Sequence, residues 1–513
     1  MNRRIAAAAV LAVWVVALAW LARRELVGTR GQLLGDVVLN VSPAATYYSL
    51  ELGGQQIGVA SSKVDTVPDT VRVEDLMILD VPALGDVQHI EARTEALLSR
   101  SLRLRSFRAT IRGGAARFAT LGTVVGDSLL ELEIESADSR QTTQVALKEP
   151  IVLPALVPLH VAFGGDLEVG RTYSLSLFDP MLLDQRPVDV TVLAESTLIV
   201  VDSAAPSLDS TTWLPARWDT VHAWRVAQEV SGLRLEAWID DLGHVVRATT
   251  PVGFTMERTA FEIAYENYRR SGGPSPTALA GSDIIRQTAI ASNVSLETEE
   301  LGELRVRLGG VDLAGFDLTG GRQELSGDTL IVRREAEQAL DAGYRLPAFG
   351  EEVREYLKAE PLIQTTDPRI KAQARQIVGR RRDPTRAARL ISEWVHDALD
   401  KRITVSVPSA LEVLETRRGD CNEHTVLYVA LARASGLPAR TAAGLVYVRG
   451  RFYYHAWPEV FLGEWVAVDP TLGQFPADAS HLRFTVGGLA RQVELIRLIG
   501  RLDLDVIEAR GAP

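Results

Sequence analysis

Cysteine is almost absent from this chain. Its 513 residues contain one, Cys421, so no intramolecular disulfide forms and no cysteine stands near the N-terminus to accept a lipoprotein anchor. A single thiol with histidines further along is a candidate nucleophile rather than a staple; a small buried hydrophobe is the competing reading. Lysine is scarce too. Lys63, Lys148, Lys358, Lys371 and Lys401 stand against fifty arginines, a bias of GC-rich coding rather than of chemistry. Positive charge is in deficit, with a formal net charge of −11. That argues against nucleic acid as a partner, because such binders present a basic face. The densest basic run, Arg380-Arg381-Arg382, is cut short by Asp383-Pro384 and reads as a solvated helix terminus. Long repeats and low-complexity tracts are missing as well.

Long apolar runs are lacking, with one exception. Ile5–Ala22 is an uncharged stretch of 18 residues, flanked by Arg3-Arg4 and Arg23-Arg24 and carrying Trp14 and Trp20. As a helix it spans about 27 Å, enough for a bilayer core, and tryptophans suit the membrane interface. The expectation is a single-pass membrane anchor within residues 1–30. Ala17-Leu18-Ala19 also resembles a small-residue cleavage site, so a removed signal peptide is the alternative. Under either reading the rest of the chain is extracytoplasmic, periplasmic or at the cell surface.

From 35 to 270 the pattern predicts a large antiparallel β-rich domain. Tyr47–Leu52 and Gln55–Ala60 flank Gly53-Gly54, and Ser106–Ile111, Ser128–Ile134, Tyr173–Phe178, Val188–Val192 and Arg234–Ile239 are further strands. His89, His160, His222 and His244 are scattered without ligand spacing and read as structural or surface residues. Ser271-Gly272-Gly273-Pro274-Ser275-Pro276 is the clearest linker. A small β module is expected over 282–350, with strands Leu304–Leu308, Val311–Leu318 and Thr329–Arg333. Helices return in the last segment, 351–513, where Asp367-Pro368 and Asp383-Pro384 each set a cap before a proline at the first helical position.

The segment Gly419-Asp420-Cys421-Asn422-Glu423-His424 carries the chemistry. Asp420 and Glu423 fit a capping box, and Gly436 with Pro438 ends the helix. Cys421 then lies in the first turn, where the helix dipole is expected to lower its pKa. Downstream, Thr441–Val448, Phe452–Val460 and Glu464–Asp469 read as antiparallel strands. Pairing Val460 with Glu464 sets His455 opposite Asp469, close enough for Asp469 to accept from the imidazole. His455 would take the thiol proton while Asp469 fixes the ring. The Cys421 amide is a candidate oxyanion donor, and Trp394 a second, with core packing the favoured reading for Trp394. His424 lies about 300° around the helix from Cys421, within reach of the thiol. Glu459 reads as structural, and His396 and His481 as surface residues.

Three stretches in this order resemble the bacterial transglutaminase-like family: Ser409–Glu415 with Gly419-Asp420-Cys421 and Ala432–Arg440; Tyr454-His455-Ala456-Trp457-Pro458-Glu459-Val460; and Trp465-Val466-Ala467-Val468-Asp469-Pro470-Thr471. The resemblance spans roughly residues 365–485. It implies an α+β fold with a C-terminal papain-like core, a cysteine-bearing helix against a sheet carrying histidine and aspartate, and it implies Cys421, His455 and Asp469 as the catalytic triad. It also implies a peptide or protein amide substrate. No acidic loop resembles a calcium site, so no metal or cofactor is expected. An amine acceptor would complete transamidation and water would complete hydrolysis, as in a cysteine peptidase or amidase. A non-catalytic envelope binding or assembly module, with Cys421 simply packed, is the remaining alternative.

Overall fold

The structure, a computed structural model, describes residues 44–511, apart from 68–69, 84–85, 114–115, 137–138, 210, 231–232, 251–252, 272–287, 403–406 and 408. The anchor expected within 1–30 and most of the Ser271–Pro276 linker lie outside the described residues. Among the described residues, no helix is long and apolar enough to cross a membrane.

Residues 44–259 form a sheet of fifteen strands, antiparallel throughout except for Ile151–Val152 against Thr172–Asp179. It consists of two meanders. One runs outward from Ala44–Leu52 to Ser139–Ala146, the other from Ile151–Val152 to Phe254–Thr259, and they join where Ala44–Leu52 pairs with Phe254–Thr259. Burial alternates along the strands, as in Leu129–Ser136, where Leu130, Leu132, Ile134 and Ser136 point inward. This is the period of two that lets one sheet face be apolar. Gly53 and Gly54, with φ of 59° and 79°, make the tight turn between the first two strands, since both positions need φ above zero. Val71, Val73 and Leu98 of one meander share a core with Val188, Val190 and Ile239 of the other, and with the helix Val157–Phe163. The sheet therefore curls so that its two halves face one another.

The C-terminal segment packs four helices, Pro368–Val378, Pro384–Ala398, Ala410–Thr416 and Cys421–Ala434, against an antiparallel sheet. Asp367 and Asp383 cap the first two through the amides of Arg369 and Arg386. Leu427 to Ala432 of the fourth helix are fully buried. From Val426 to Ala432 that helix is apolar all round, as a central helix must be. Its sheet is built on the hairpin Ala439–Val448 and Arg451–Phe461, with Leu482–Val486 along one edge and Trp465–Ala467 along the other.

The small β module differs from the expected one. Val311–Leu318 is not a strand; Gln323–Ser326 forms the edge instead, paired with Thr329–Arg333, which in turn pairs with Leu301–Gly309. Nor does the module end at 350, because the chain's last strand, Asp503–Gly511, returns to pair with Leu301–Gly309. Local patterning carries no sign of a partner some 200 residues away. Leu304, Val306 and Leu330 share a core with Leu445, Phe452 and Phe484 of the hairpin sheet, so module and hairpin sheet form one body. The large β domain docks on the same body through Phe118 and Ile134 against Val407, with Met181, Leu183, Leu362 and Leu489 around them.

Candidate active site

The nucleophile helix begins in a reciprocal cap. The Asp420 carboxylate accepts from the Asn422 amide at 2.9 Å, and Glu423 Oε2 accepts from the Asp420 amide at 2.9 Å. Cys421 is thereby fixed as the first helical residue. Its thiol faces His455 and the Ala456 amide, both of which act to lower its pKa and both of which lie on the strand Arg451–Phe461. On that strand His455 is partly buried, stacked near Trp457 at a ring-centroid separation of 6.1 Å.

Asp469 meets the other side of the ring. Its Oδ2 lies 2.7 Å from His455 Nε2, leaving Nδ1 for the thiol. The route to this contact differs from the expected register. Val460 pairs with Val466, not Glu464, because Phe461 still pairs, with Trp465, and the loop falls one position later, at Leu462–Glu464, which shifts the register by two. Regular pairing stops at Ala467, and Asp469 is held by a two-way backbone bridge to Gln474. A shift of two residues keeps every side chain on its face, whereas a shift of one would have turned Asp469 away.

The aspartate is saturated with donors. Its Oδ1 takes the amides of Thr471 at 2.8 Å and Leu472 at 3.0 Å. Its Oδ2 takes His455 and a second imidazole, Nε2 of His481 at 3.0 Å. His481, expected at the surface, is fully buried. Its Nδ1 faces Asp478 Oδ1 at 3.2 Å, and Asp478 also accepts from the Ser480 amide and hydroxyl and from Gln474. Glycine explains how His481 arrives there. Gly444 pairs with His455 on one side and Arg483 on the other. A Cβ on Gly444 would lie 1.9 Å from the Leu482 carbonyl oxygen, so only glycine lets the edge strand approach. The signal available in the sequence was the cluster Asp478, Ser480 and His481 just before an apolar strand, a pattern that suits a turn buried with its own polar partners.

Electrostatics follow from this burial. Desolvation alone would lower the His455 pKa, but Asp469 and then Cys421 outweigh it and lift it to about 9. His481 is also lifted to about 9, by Asp478 and Asp469 against the same desolvation. Burial favours the neutral form of Asp469, yet the two histidines hold it well below the ordinary carboxylate range. Cys421 departs from expectation. The protein around the thiol, and then the charge of Asp420, push its pKa up, while His455 and the Ala456 amide pull it down without cancelling the rise. Desolvation thus outweighs the pull of the helix start, although part of the residue reaches solvent. Asp469 nevertheless keeps a proton on the imidazole.

Other singled-out residues fall into place around this row. His424 is fully buried; its Nδ1 donates to the Asp420 carbonyl at 2.6 Å and its Nε2 has no hydrogen-bond partner. Burial lowers its pKa, which keeps it neutral. Trp394 is half-buried beneath the Arg417 guanidinium, 4.5 Å from its ring centroid. Glu459 is a buried partner of Arg440 and Arg483. His396, expected at the surface, is half-buried and bonds the Pro470 carbonyl at 2.9 Å. Among the described residues, one group has donor atoms clustered as a metal site would need, namely His455, Asp469 and His481, within 4.8 Å of one another. Here those donors share protons between imidazole and carboxylate.

Residues 371–470 match the model of the transglutaminase-like superfamily. An uncharacterized protein of Haemophilus influenzae is 33% identical over 102 residues, which are 19% of this chain and 27% of the relative; the match thus spans about a quarter of the relative's length. Among solved structures, a Cytophaga hutchinsonii protein provisionally assigned as a cysteine protease aligns with a TM-score of 0.27 and 16% identity, over 44% of this chain and 84% of that one. A β-barrel-like protein of Brucella abortus, from a domain family of unknown function, aligns with a TM-score of 0.27 and 11% identity, over 42% of this chain and 96% of that one. The family match takes in Cys421, His455 and Asp469 and ends before Asp478 and His481. Residues 371–470 of this chain are a transglutaminase-like domain.

Proposed function

We propose that Cys421, His455 and Asp469 are a catalytic triad for thiol acyl transfer on peptide or protein amides, in a protein anchored in the bacterial envelope. The observation that carries this is the placement of His455, facing the thiol on one side and held by a buried carboxylate at 2.7 Å on the other. The thiolate attacks an amide carbonyl, and the Cys421 amide at the helix start receives the developing oxyanion. His455 passes its proton to the departing nitrogen, which leaves as ammonia or an amine, and a thioester remains. A second amine attacks the thioester and gives a new amide; water gives the acid. A mostly apolar cavity of about 220 Å³, lined by Leu182, Leu183, Leu362, Ile363 and Val426, reaches Asn422, the residue after the nucleophile, and suits an aliphatic or aromatic substrate side chain. The run Ile5–Ala22 supports location at the membrane.

Full-length protein incubated with a glutamine-containing peptide and a fluorescent primary amine should yield labelled peptide. Cys421→Ala should abolish this, and His455→Ala should move iodoacetamide labelling of Cys421 to higher pH. Release of ammonia or a cleaved peptide without amine incorporation would assign hydrolysis to the same triad. Turnover that survives Cys421→Ala would refute the reading.

A further inference from the structure

Beyond the three residues just assigned, a fully buried histidine and a second carboxylate continue the row: Cys421, His455, Asp469, His481, Asp478. Each nitrogen of His481 faces a carboxylate oxygen, Asp469 Oδ2 at 3.0 Å and Asp478 Oδ1 at 3.2 Å. An ionised carboxylate only accepts, so both ring nitrogens must donate, and only the imidazolium can do that. The two acceptors are themselves committed. Asp478 Oδ1 also takes the Ser480 amide at 2.7 Å and hydroxyl at 2.6 Å, and its Oδ2 takes Gln474 at 2.7 Å. Its carbonyl, with that of Ala477, is held by Arg322 Nη2. Nothing in this arrangement leaves His481 free to rotate or to lose its anionic partners.

We propose that His481 is a fixed imidazolium that positions Asp469 and offsets part of its charge, so that the catalytic base is governed by five residues rather than three. A lone buried aspartate would hold the His455 proton too tightly to release it to the leaving nitrogen. A cation on the same Oδ2, its ring centroid 6.0 Å from that of His455, weakens that hold. It also favours the thiolate beyond His455. The proposal rests on the triad reading above. His481 touches neither thiol nor substrate in this account and is a positioning residue. The other titratable groups facing the row are Asp420 beside the thiol, the neutral His424, which feels both Lys401 and Asp469, and the Arg322–Glu335 pair behind Asp478.

The test follows ionisation of the single thiol, by thiolate absorbance and by iodoacetamide rate against pH, in full-length wild type and His481→Gln. Glutamine can still donate to Asp469 but carries no charge. Loss of a buried cation at this range makes both Cys421 and His455 hold their protons more tightly, so the thiolate inflection should rise by about one pH unit. The descending limb of any pH–rate profile should move up with it. An unchanged inflection in a folded variant, with or without slower turnover, would overturn the proposal and leave His481 a packing residue. A second measurement needs no variant. In wild type with ¹⁵N-labelled histidine, two buried rings, His455 and His481, should show both nitrogens protonated at pH 7.5, and finding fewer than two there would also overturn it. Neither readout requires turnover. A shifted inflection without acyl transfer would sink the triad's assigned reaction while sparing the relay, and turnover without a shift would do the reverse.

Discussion

Asp469 Oδ2 accepts from two histidines at once, His455 at 2.7 Å and His481 at 3.0 Å, while Oδ1 takes two backbone amides. All four lone-pair directions are used, so the carboxylate cannot turn. Asp469→Asn replaces one acceptor oxygen by a donor that must face either two imidazole N–H groups or two amides. The expected outcome is a loss of about 10³-fold or more in kcat, by analogy with the aspartate of other nucleophile–histidine–acid sites. The check is kcat and KM in a variant whose near-ultraviolet dichroism shows retained tertiary packing; an effect under tenfold would remove Asp469 from the triad.

The same contacts make stability depend on pH, with a definite sign. His455 and His481 are lifted to about 9, from an unfolded value near 6.5. Between these values the folded chain binds more protons than the unfolded one, so stability falls as pH rises. The contribution is complete below pH 6.5 and lost through pH 9. For His481 it is on the order of 2 kcal/mol, and the matching depression of Asp469 and Asp478 is the same attraction seen from the other side, not an addition. Tm measured from pH 6.5 to 9.5 should decline, and less steeply in His481→Gln. Parallel declines in the two proteins would contradict a protonated His481.

Glu412 behaves in the opposite sense to an ordinary carboxylate. It is buried where the β domain meets the helices, accepting from Ser136 Oγ at 3.1 Å, and desolvation, then the nearby charge of Glu423, raise it to about 7 against the pull of the Ser136 hydroxyl. A carboxyl raised above its unfolded value near 4.3 gives stability at low pH that is lost as pH climbs through 7. Glu412→Gln keeps the hydrogen-bonding shape and removes the ionisation. It should be more stable than wild type by about 2 kcal/mol at pH 8 and nearly equal at pH 4.5. Denaturant midpoints at the two pH values decide it.

Where the sequence was informative, the reason was local. Asp420 and Glu423 announce a helix start by spacing alone, and the structure has that cap. The alternation in Leu129–Ser136 shows which side is buried. Contacts set by distant chain segments left no such trace. The pairing of Ala44–Leu52 with Phe254–Thr259 and the return of Asp503–Gly511 to the module depend on surfaces assembled elsewhere. His481 sits between these extremes. Its neighbours Asp478 and Ser480 are visible in the sequence, but its partner Asp469 is reached only because Gly444 admits the edge strand. Burial of Cys421 was likewise invisible, and with it the upward push on the thiol. Desolvation, set by neighbours distant in the chain, overrides the helix dipole, which is legible locally.

Gly419 ties the helix cap to the nucleophile. A Cβ there would lie 2.2 Å from Glu423 Cβ and 2.4 Å from its Cγ. These are the stem atoms of the capping side chain and cannot swing aside. Gly419→Ala should expel Glu423 from the Asp420 amide, costing about 1–2 kcal/mol for the lost cap. It should also shift the first helical turn, and a misplacement near 1 Å is enough to lower acyl-transfer kcat about 100-fold. Glu423→Gln retains the acceptor oxygen and leaves the backbone undisturbed, so its activity should stay within about threefold of wild type if Glu423 acts through the cap alone. Measuring both variants separates geometry from charge. A large loss in Glu423→Gln would show that the carboxylate's charge matters at the thiol, whereas loss confined to Gly419→Ala would assign the effect to the position of Cys421.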